Sequence, residues 1–156
     1  MTEIALRPVT AADEELLRAV YASTRAEELL VTPWTDEQKA AFCAMQFEAQ
    51  STHYAKAYPG AAHDVIVVDG EDAGRFYVYR TAGDIRVVDI AILPAFRGLG
   101  VGGRLLSDVL AEARETGSRV TIHVEHQNRA KHLYERLGFV GVEDTGVYLR
   151  MEWTPD

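Results

Sequence analysis

The chain has 156 residues, of which 47% are hydrophobic and 26% charged, and its formal net charge is −8. This size and composition are typical of a globular protein, and we expect residues 1–156 to form a single domain. The negative charge argues against a general nucleic-acid-binding protein, and no apolar run approaches the roughly 18 residues of a membrane span. A single cysteine, Cys43, excludes an internal disulfide and a cysteine-based zinc cluster, and we expect it to be a buried core thiol.

The first sixty residues predict one short strand and two helices. Ile4 to Arg7 is a strand-like run, and the apolar stripe over residues 16–21 indicates a first helix. Thr35 and Gln38 have the spacing of a capping box, so a second helix should begin there and end near Gln50 or slightly beyond. The N-terminus lacks the basic and apolar regions of a secretory signal, which favours the cytoplasm.

The second predicted helix carries an unusual mixture of aromatic and amide side chains. One interpretation is a core face with glutamines at its rim, and the other is a helix that lines a substrate cleft. The residues concerned are Phe42, Gln46, Phe47, Gln50 and Tyr54.

The remainder of the chain alternates between strands and helices. Short turns predict antiparallel strands over residues 64–69, 73–81 and 85–93. A helix should then end near Gly117, a strand should span Arg119–Glu125, and Asn128 should cap a helix that Gly138 ends. Two final strands follow, over residues 139–142 and 147–153. The order βααβββαβαββ predicts an α/β (α+β) fold with a mixed, largely antiparallel central sheet flanked by helices.

A glycine-dense turn over residues 97–103 separates a predicted strand from an amphipathic helix. Such a turn frees backbone N–H groups, and the helix adds its own unpaired donors and the positive end of its dipole. The combination predicts an anion site, most often for phosphate. The turn is not the G-x-G-x-x-G of a dinucleotide-binding fold, and it lacks the Gly-Lys-Ser/Thr end of a Walker A loop.

This stretch resembles the acyl-CoA loop of the GNAT superfamily of N-acetyltransferases. The family pattern Arg/Gln-x-x-Gly-x-Gly/Ala is matched by Arg97, Gly100 and Gly102. A second family pattern follows after one helix and one strand, in residues Asn128, Ala130, Tyr134, Gly138 and Phe139. The resemblance covers about residues 89–139, and it implies the GNAT fold with acetyl-CoA as the cofactor.

The resemblance also implies roles for individual residues. The backbone amides around the loop would hold the coenzyme A pyrophosphate, and the free edge of the preceding strand would pair with the pantetheine amides. The implied cofactor-binding residues are Ile90, Ile92, Arg97, Gly98, Leu99, Gly100, Val101, Gly102, Gly103 and Asn128. Tyr134 would protonate the departing thiolate.

Direct attack of an amine on a thioester needs a neutral amine, a donor for the oxyanion and an acid for the thiolate. No enzyme nucleophile is evident. For the general base, Glu125 is the first choice, with His123 and Asp89 as alternatives. A polar sheet face without catalytic function is at least as good an explanation for each of these three residues.

The sequence therefore predicts an acetyl-CoA-dependent N-acetyltransferase that acts on a primary amine in a ternary complex. The acceptor, a small-molecule or peptide amine, would contact the second helix and the C-terminal hairpin around Tyr148. The alternatives are a non-catalytic acyl-CoA-binding sensor on the same fold and an enzyme for another acyl group. We expect no metal site, no nucleic-acid or membrane partner, and a homodimer as one admissible assembly.

Overall fold

The computed structural model describes residues 2–126 and 128–156. In this part of the chain the helices and strands follow the predicted order βααβββαβαββ, with short 3₁₀ turns at Ala11–Asp13 and Pro94–Phe96. The elements are β1 Ile4–Pro8, α1 Glu14–Leu30, α2 Asp36–Ala57, β2 Ala62–Val68, β3 Glu71–Thr81, β4 Asp84–Ile92, α3 Val101–Thr116, β5 Arg119–Glu125, α4 Ala130–Arg136, β6 Val140–Asp144 and β7 Tyr148–Trp153.

The strands form one seven-stranded sheet in the order β1-β2-β3-β4-β5-β7-β6. The pairs β1–β2, β5–β7 and β6–β7 are antiparallel, whereas β4 and β5 are parallel. The prediction of a mixed, largely antiparallel sheet flanked by helices is confirmed. The parallel pair arises because α3 carries the chain from the end of β4 back to the start of β5.

The parallel ladder between β4 and β5 is short. It runs from Asp84 opposite Arg119 to Val87 opposite Ile122. Strand β4 continues for five residues beyond the ladder, to Ile92, and β5 continues for three, to Glu125. The two strands therefore share hydrogen bonds only at their N-terminal ends in the described part of the chain.

Helix α2 begins where its sequence predicts and extends further than expected. Gln38 N donates to Thr35 Oγ1 at 3.1 Å, and Thr35 N donates to Gln38 Oε1 at 2.9 Å, which is a complete capping box. The helix continues to Ala57, two turns past the expected end near Gln50 or slightly beyond. Residues 51–57 contain no glycine or proline, and Pro59-Gly60 is the first pair that breaks helices.

The chain forms two compact units. The first comprises the residues up to Phe76 together with Ala91–Leu99, and the second comprises Tyr77–Ile90 with Gly100–Asp156. The first unit contains a core cluster of Leu17, Tyr21 and Phe47 from α1 and α2. The second buries the apolar side of α3 together with apolar side chains of β4 and β5, namely Ile85, Val87, Leu105, Leu106, Val109, Leu110, Val120, Ile122 and Val124.

Two further observations concern single features. Cys43 is buried, as predicted, and burial raises the pKa of its thiol. Within residues 2–126 and 128–156, none of the helices has the length and apolar character that crossing a membrane requires.

Candidate functional site

The glycine turn contains two residues with backbone angles that amino acids other than glycine rarely adopt. Gly98 and Gly100 have φ values of 77° and 78°, in the left-handed region that favours glycine. A Cβ atom placed on either residue would meet nothing within 4 Å, so both face open space. The turn is exposed, with Leu99 at 49%. The loop therefore presents bare backbone that a ligand can approach closely.

Helix α3 opens directly from this turn. Gly100 is its N-cap and makes no side-chain capping bond, and the first helical bond runs from Arg104 N to Gly100 O at 3.0 Å. The amides of Val101, Gly102 and Gly103 precede that bond and point out of the helix end. The Val101 side chain is buried, so only its backbone faces the loop. This donor-rich, positive end fits an anionic group such as a diphosphate.

The Arg97 side chain is tied back to strand β4. Its Nε donates to the carbonyl oxygen of Ile92 at 2.9 Å, and the residue is exposed. That carbonyl belongs to the strand edge that the GNAT resemblance assigns to pantetheine. Because a carbonyl oxygen has two lone pairs, it can accept a second hydrogen bond. Arg97 thus links the strand edge to the loop by direct contact.

Tyr134 lies on α4 and is buried, with 4% of its surface exposed. Its ring packs against Phe139 with 6.0 Å between the ring centroids. Burial raises the pKa of the Tyr134 phenol well above its ordinary value, and the negative charge of Asp89 raises it further. The phenol is therefore protonated throughout the physiological range and is available as a hydrogen-bond donor.

Asn128 was expected to cap α4, and it supplies a capping hydrogen bond from the position before Arg129, the residue at the N-cap. Its side-chain oxygen accepts a hydrogen bond from Ala130 N at 2.9 Å, which satisfies one of the free amides at the start of α4. Asn128 itself is exposed. The cap fixes the first turn of the short helix that carries Tyr134.

The candidate bases lie on two different faces of the sheet. Val120, Ile122 and Val124 are buried on one face of β5. His123 and Glu125 alternate with them onto the opposite face, as predicted, and remain at least partly exposed. Asp89 lies on the same side of β4 as the buried Ile85 and Val87, and its negative charge raises the pKa of Tyr134. Asp89 therefore lies on the side that faces Tyr134, whereas His123 and Glu125 lie on the opposite side. This second side is called the open face because His123 is exposed there, although Thr121 on the same side is buried.

Arg86 on β4 joins His123 on this open face, a neighbour that the sequence analysis did not identify. The Nη2 atom of Arg86 forms a hydrogen bond with His123 Nδ1. The His123 ring contacts the Tyr148 ring edge-on, with 6.5 Å between the ring centroids. The alternation of β4 already places Arg86 on a partly exposed face. The contact with His123 depends on the parallel register, which the sequence alone did not give.

The predicted acceptor residues of α2 divide into two environments. Phe47 is 6% exposed and belongs to the core cluster with Leu17 and Tyr21. Gln50 accepts a hydrogen bond from the buried Arg75 at 2.5 Å. The Arg75 guanidinium also lies over the Tyr54 ring at 5.7 Å and over the Phe47 ring at 5.9 Å. An arginine inside an otherwise apolar strand run is the signal that could have drawn attention to this position.

Phe42 lies instead on an open groove at the start of α2. The groove has a volume of about 320 Å³ and is lined by Trp34, Gln38, Ala41, Phe42 and Met45. The Trp34 and Phe42 rings pack at 5.2 Å between centroids. Gln46 is half-buried, and Tyr148, which belongs to the other compact unit, is 42% exposed. The role of these residues in acceptor binding stays a prediction.

The described residues, 2–126 and 128–156, contain no group of three or more His, Cys, Asp or Glu side chains that could hold a metal ion.

Comparison with known proteins identifies the class. A family model for the acetyltransferase (GNAT) domain matches residues 59–141, which is more than half of the chain and includes the glycine turn, α3, β5 and Tyr134. The chain therefore belongs to the GNAT acetyltransferase family.

Two bacterial relatives are similar to this chain over about half of its length. YhfO of Bacillus subtilis, named an uncharacterized N-acetyltransferase, is 33% identical over 96 residues, covering 54% of this chain and 63% of that protein. The L-amino acid N-acyltransferase MnaT of Escherichia coli is 35% identical over 91 residues, covering 51% of this chain and 52% of that protein. In both cases the match spans less than two thirds of the relative's own length.

A solved structure supports the fold over almost the whole chain. The PaiA N-acetyltransferase of Thermoplasma acidophilum, determined in complex with coenzyme A, superposes with a TM-score of 0.72 at 15% identity. The superposition covers 97% of this chain and 99% of that chain. At this identity the likeness establishes the fold alone.

Proposed function

We propose that this protein is an acetyl-CoA-dependent N-acetyltransferase that transfers an acetyl group to a primary amine by direct attack in a ternary complex. The observation that carries the proposal is the pairing of a bare glycine turn at the start of α3 with the buried, protonated Tyr134. Both features lie within the region that matches the GNAT domain. The name of the E. coli relative assigns L-amino acids to that protein. For this chain the proposed acceptor class is a primary amine.

The cofactor would be held through backbone groups. The amides from Leu99 to Gly103 would receive the diphosphate, and Arg97 would add positive charge beside it. The β4 edge at Ile90 and Ile92 would hydrogen bond with the pantetheine arm, near Asn128. The early end of the β4–β5 ladder supports this part of the proposal, because β4 continues as an edge beyond Val87. Acetyl-CoA supplies the activated thioester.

Tyr134 would act on the leaving sulfur. A phenol whose pKa is raised stays protonated, so it can donate a hydrogen bond to the sulfur as negative charge develops there. A thiol has a pKa of about 8.5, well below that of this phenol, so complete transfer of the phenol proton to the thiolate is uphill. We therefore assign Tyr134 first to charge stabilisation of the thiolate and second to its protonation.

Glu125 is the proposed general base. The open sheet face gives a carboxylate there access to an ammonium group, whereas Asp89 lies on the opposite face with Tyr134. The acid and the base would then act from the two faces of the sheet. His123 is a poorer candidate because its Nδ1 already accepts a hydrogen bond from Arg86. Cys43, the single free thiol, suits a reducing compartment, and the cytoplasm is the proposed location.

Calorimetric titration with coenzyme A, followed by thiol-release assays on a panel of amines, tests the proposal. We expect saturable binding of coenzyme A and acetyl-CoA-dependent thiol release with at least one amine. Absence of coenzyme A binding would overturn the proposal, and binding without thiol release across the panel would favour a non-catalytic sensor.

A matched pair of glycine variants tests the location of the cofactor site. Gly100 and Gly83 both have open space at the Cβ position and nearly equal φ values of 78° and 77°. Gly100→Ala and Gly83→Ala should therefore lose similar thermal stability, since both strain a left-handed residue. We expect coenzyme A affinity to fall at least 10-fold for Gly100→Ala alone, because only that Cβ would stand in the path of the diphosphate. Equal affinities would remove the diphosphate from this turn.

A further inference from the structure

A row of donor groups crosses the open sheet face of the second compact unit. It consists of Arg86 on β4, His123 on β5 and Tyr148 on β7, joined by the Arg86–His123 hydrogen bond and the edge-on ring contact. His123 stands opposite Arg150 in the antiparallel ladder, and Glu125 stands opposite Tyr148. The row therefore ends beside the proposed general base.

Arg86 differs from the other arginines of this face. Arg119 forms ion pairs with Asp84 at 3.1 Å and Glu152 at 3.5 Å, and Arg150 pairs with Glu152 at 3.0 Å. Within residues 2–126 and 128–156, the Arg86 guanidinium forms no ion pair, and its hydrogen-bond partner is the His123 ring. Arg86 thus differs from Arg119 and Arg150 in forming no ion pair with a described carboxylate, although its side chain is half-buried.

The chemistry of His123 adds a second donor. A guanidinium has only hydrogen-bond donors, so His123 Nδ1 accepts in this pair, and Nε2 is the ring nitrogen that can present an N–H to a ligand. The Tyr148 hydroxyl is a third donor, on a side chain that is 42% exposed. Guanidinium, imidazole N–H and phenol are the groups with which proteins bind carboxylates, and a guanidinium can do so in a bidentate manner.

We propose that Arg86, with His123 and Tyr148, binds the carboxylate of the amine acceptor, and that the acceptor is a free amino acid. This inference rests on the proposed acetyltransferase function. The ammonium group would face Glu125, the proposed base, two residues beyond His123 on the same strand. The Cα atoms of His123 and Glu125 are about 6.5 Å apart, because a β-strand rises by about 3.3 Å per residue. A free amino acid carries its ammonium and carboxylate groups on the same carbon. The two groups can therefore reach Glu125 and the donor row at the same time.

The charge pattern disfavours the other acceptor classes. A polyamine or another purely cationic amine would bring positive charge toward Arg86 and leave its guanidinium uncompensated. The N-terminal residue of a protein carries a neutral peptide bond in place of the carboxylate, so it offers no negative charge to Arg86. A zwitterion matches both signs, with the negative group at Arg86 and the positive group at Glu125.

The test compares each L-amino acid with its own amide, because the two differ only in the charge under question. With acetyl-CoA and thiol-release detection, we expect kcat/KM for the acid to exceed that for the amide by roughly 10- to 100-fold in the best pair, as for loss of a hydrogen bond to a charged group. In Arg86→Gln this preference should fall to near one, and Arg86→Lys should keep part of it because a lysine retains the charge without the planar fork.

Arg119→Gln is the matched control. It removes the same charge from the same sheet face, but at a residue already paired with Asp84 and Glu152. We expect it to keep the full preference for acids. Calorimetric binding of the best amino acid in the presence of coenzyme A gives a second readout, in which Arg86→Gln should weaken binding and Arg119→Gln should not. Thermal melting confirms that each variant is folded.

The outcomes separate the two proposals. Equal rates for acids and amides, or an acid preference that survives in folded Arg86→Gln, would overturn the carboxylate site while the acetyltransferase function stands. Rapid acetylation of polyamines alone would do the same. Absence of thiol release with every amine would overturn the proposed function and the inference together.

Discussion

Gly74 on β3 is the position where a single methyl group should disturb the proposed cofactor edge most directly. A Cβ atom built on Gly74 would lie 2.1 Å from the carbonyl oxygen of Ala91 and 3.0 Å from the Cα of Ile92. Both contacts are with backbone of β4, so no side-chain rotation can relieve them. The neighbouring bond from Leu93 N to Ala73 O, at 2.8 Å, fixes the two strands close together at this point.

The size of the effect follows from that geometry. Real Cβ atoms essentially never lie closer than 3.0 Å to another heavy atom. The Ala91 carbonyl oxygen, at 2.1 Å from the added Cβ, must therefore move away by about 0.9 Å. Overpacking of this kind costs roughly 1–3 kcal/mol, and we place Gly74→Ala at about 2–3 kcal/mol. The melting temperature should then fall by about 4–12 °C for a chain of this length. A displacement of about 1 Å at the strand edge should lower kcat/KM by about 100-fold.

The assay combines thermal melting, coenzyme A calorimetry and steady-state kinetics on the purified variant. Gly141→Ala is the control, since it also lies in a strand without a positive φ, and its Cβ would meet only the flexible Leu149 side chain at 3.0 Å. We expect Gly141→Ala to stay within about 1 kcal/mol of the parent protein and to bind coenzyme A normally. A Gly74→Ala protein with unchanged stability and unchanged coenzyme A affinity would refute the reasoning.

Three further predictions concern single side chains. Tyr134→Phe should lower kcat by about 10- to 1000-fold with little change in coenzyme A affinity, and the parent protein should show no loss of kcat from this phenol below about pH 10; unchanged turnover would remove the acid role. Glu125→Gln should lower kcat/KM by about 100-fold at neutral pH, and full activity across a pH series would transfer the base role to another group or to water. Asp13 is buried in an ion pair with Arg7 at 2.8 Å, and that partner and the Thr10 N–H hold the pKa of its carboxyl well below the usual range. This contribution to stability is complete above the ordinary Asp pKa of about 4 and is lost as pH falls below it. Urea unfolding between pH 2 and pH 7 should therefore show a steeper acid loss for the parent protein than for Asp13→Asn, and identical slopes would contradict the assignment.

The local parts of the fold were readable because they depend on short-range chemistry. Strand β5 was predicted residue for residue at Arg119–Glu125, since strict alternation sets both its ends and its two faces. The capping pair Thr35 and Gln38 located the start of α2. The end of α2 was expected near Gln50 or slightly beyond and lies at Ala57. The last two turns carry little apolar periodicity but contain nothing that breaks a helix.

The candidate site was readable to the extent that its residues are adjacent in sequence. The glycine turn and the Asn128–Tyr134 region fall in contiguous segments, and the family match covers both. Arg86 was missed because its contact with His123 depends on the register of a parallel pair, which α3 and its packing determine. Arg75 was missed because an isolated arginine in an apolar strand gives no indication of the aromatic rings and the glutamine that surround it.

The short β4–β5 ladder has a thermodynamic consequence for the free protein. A strand that continues past its neighbour leaves amide and carbonyl groups that only water or a ligand can satisfy, so this stretch should exchange its amide hydrogens early. A bound pantetheine arm would supply the missing partners and act as an additional strand. Coenzyme A should then protect the amides of Ile90 and Ile92 far more than those of the paired Asp84–Val87. Ligand occupancy and local folding at this end of the sheet would be one linked equilibrium.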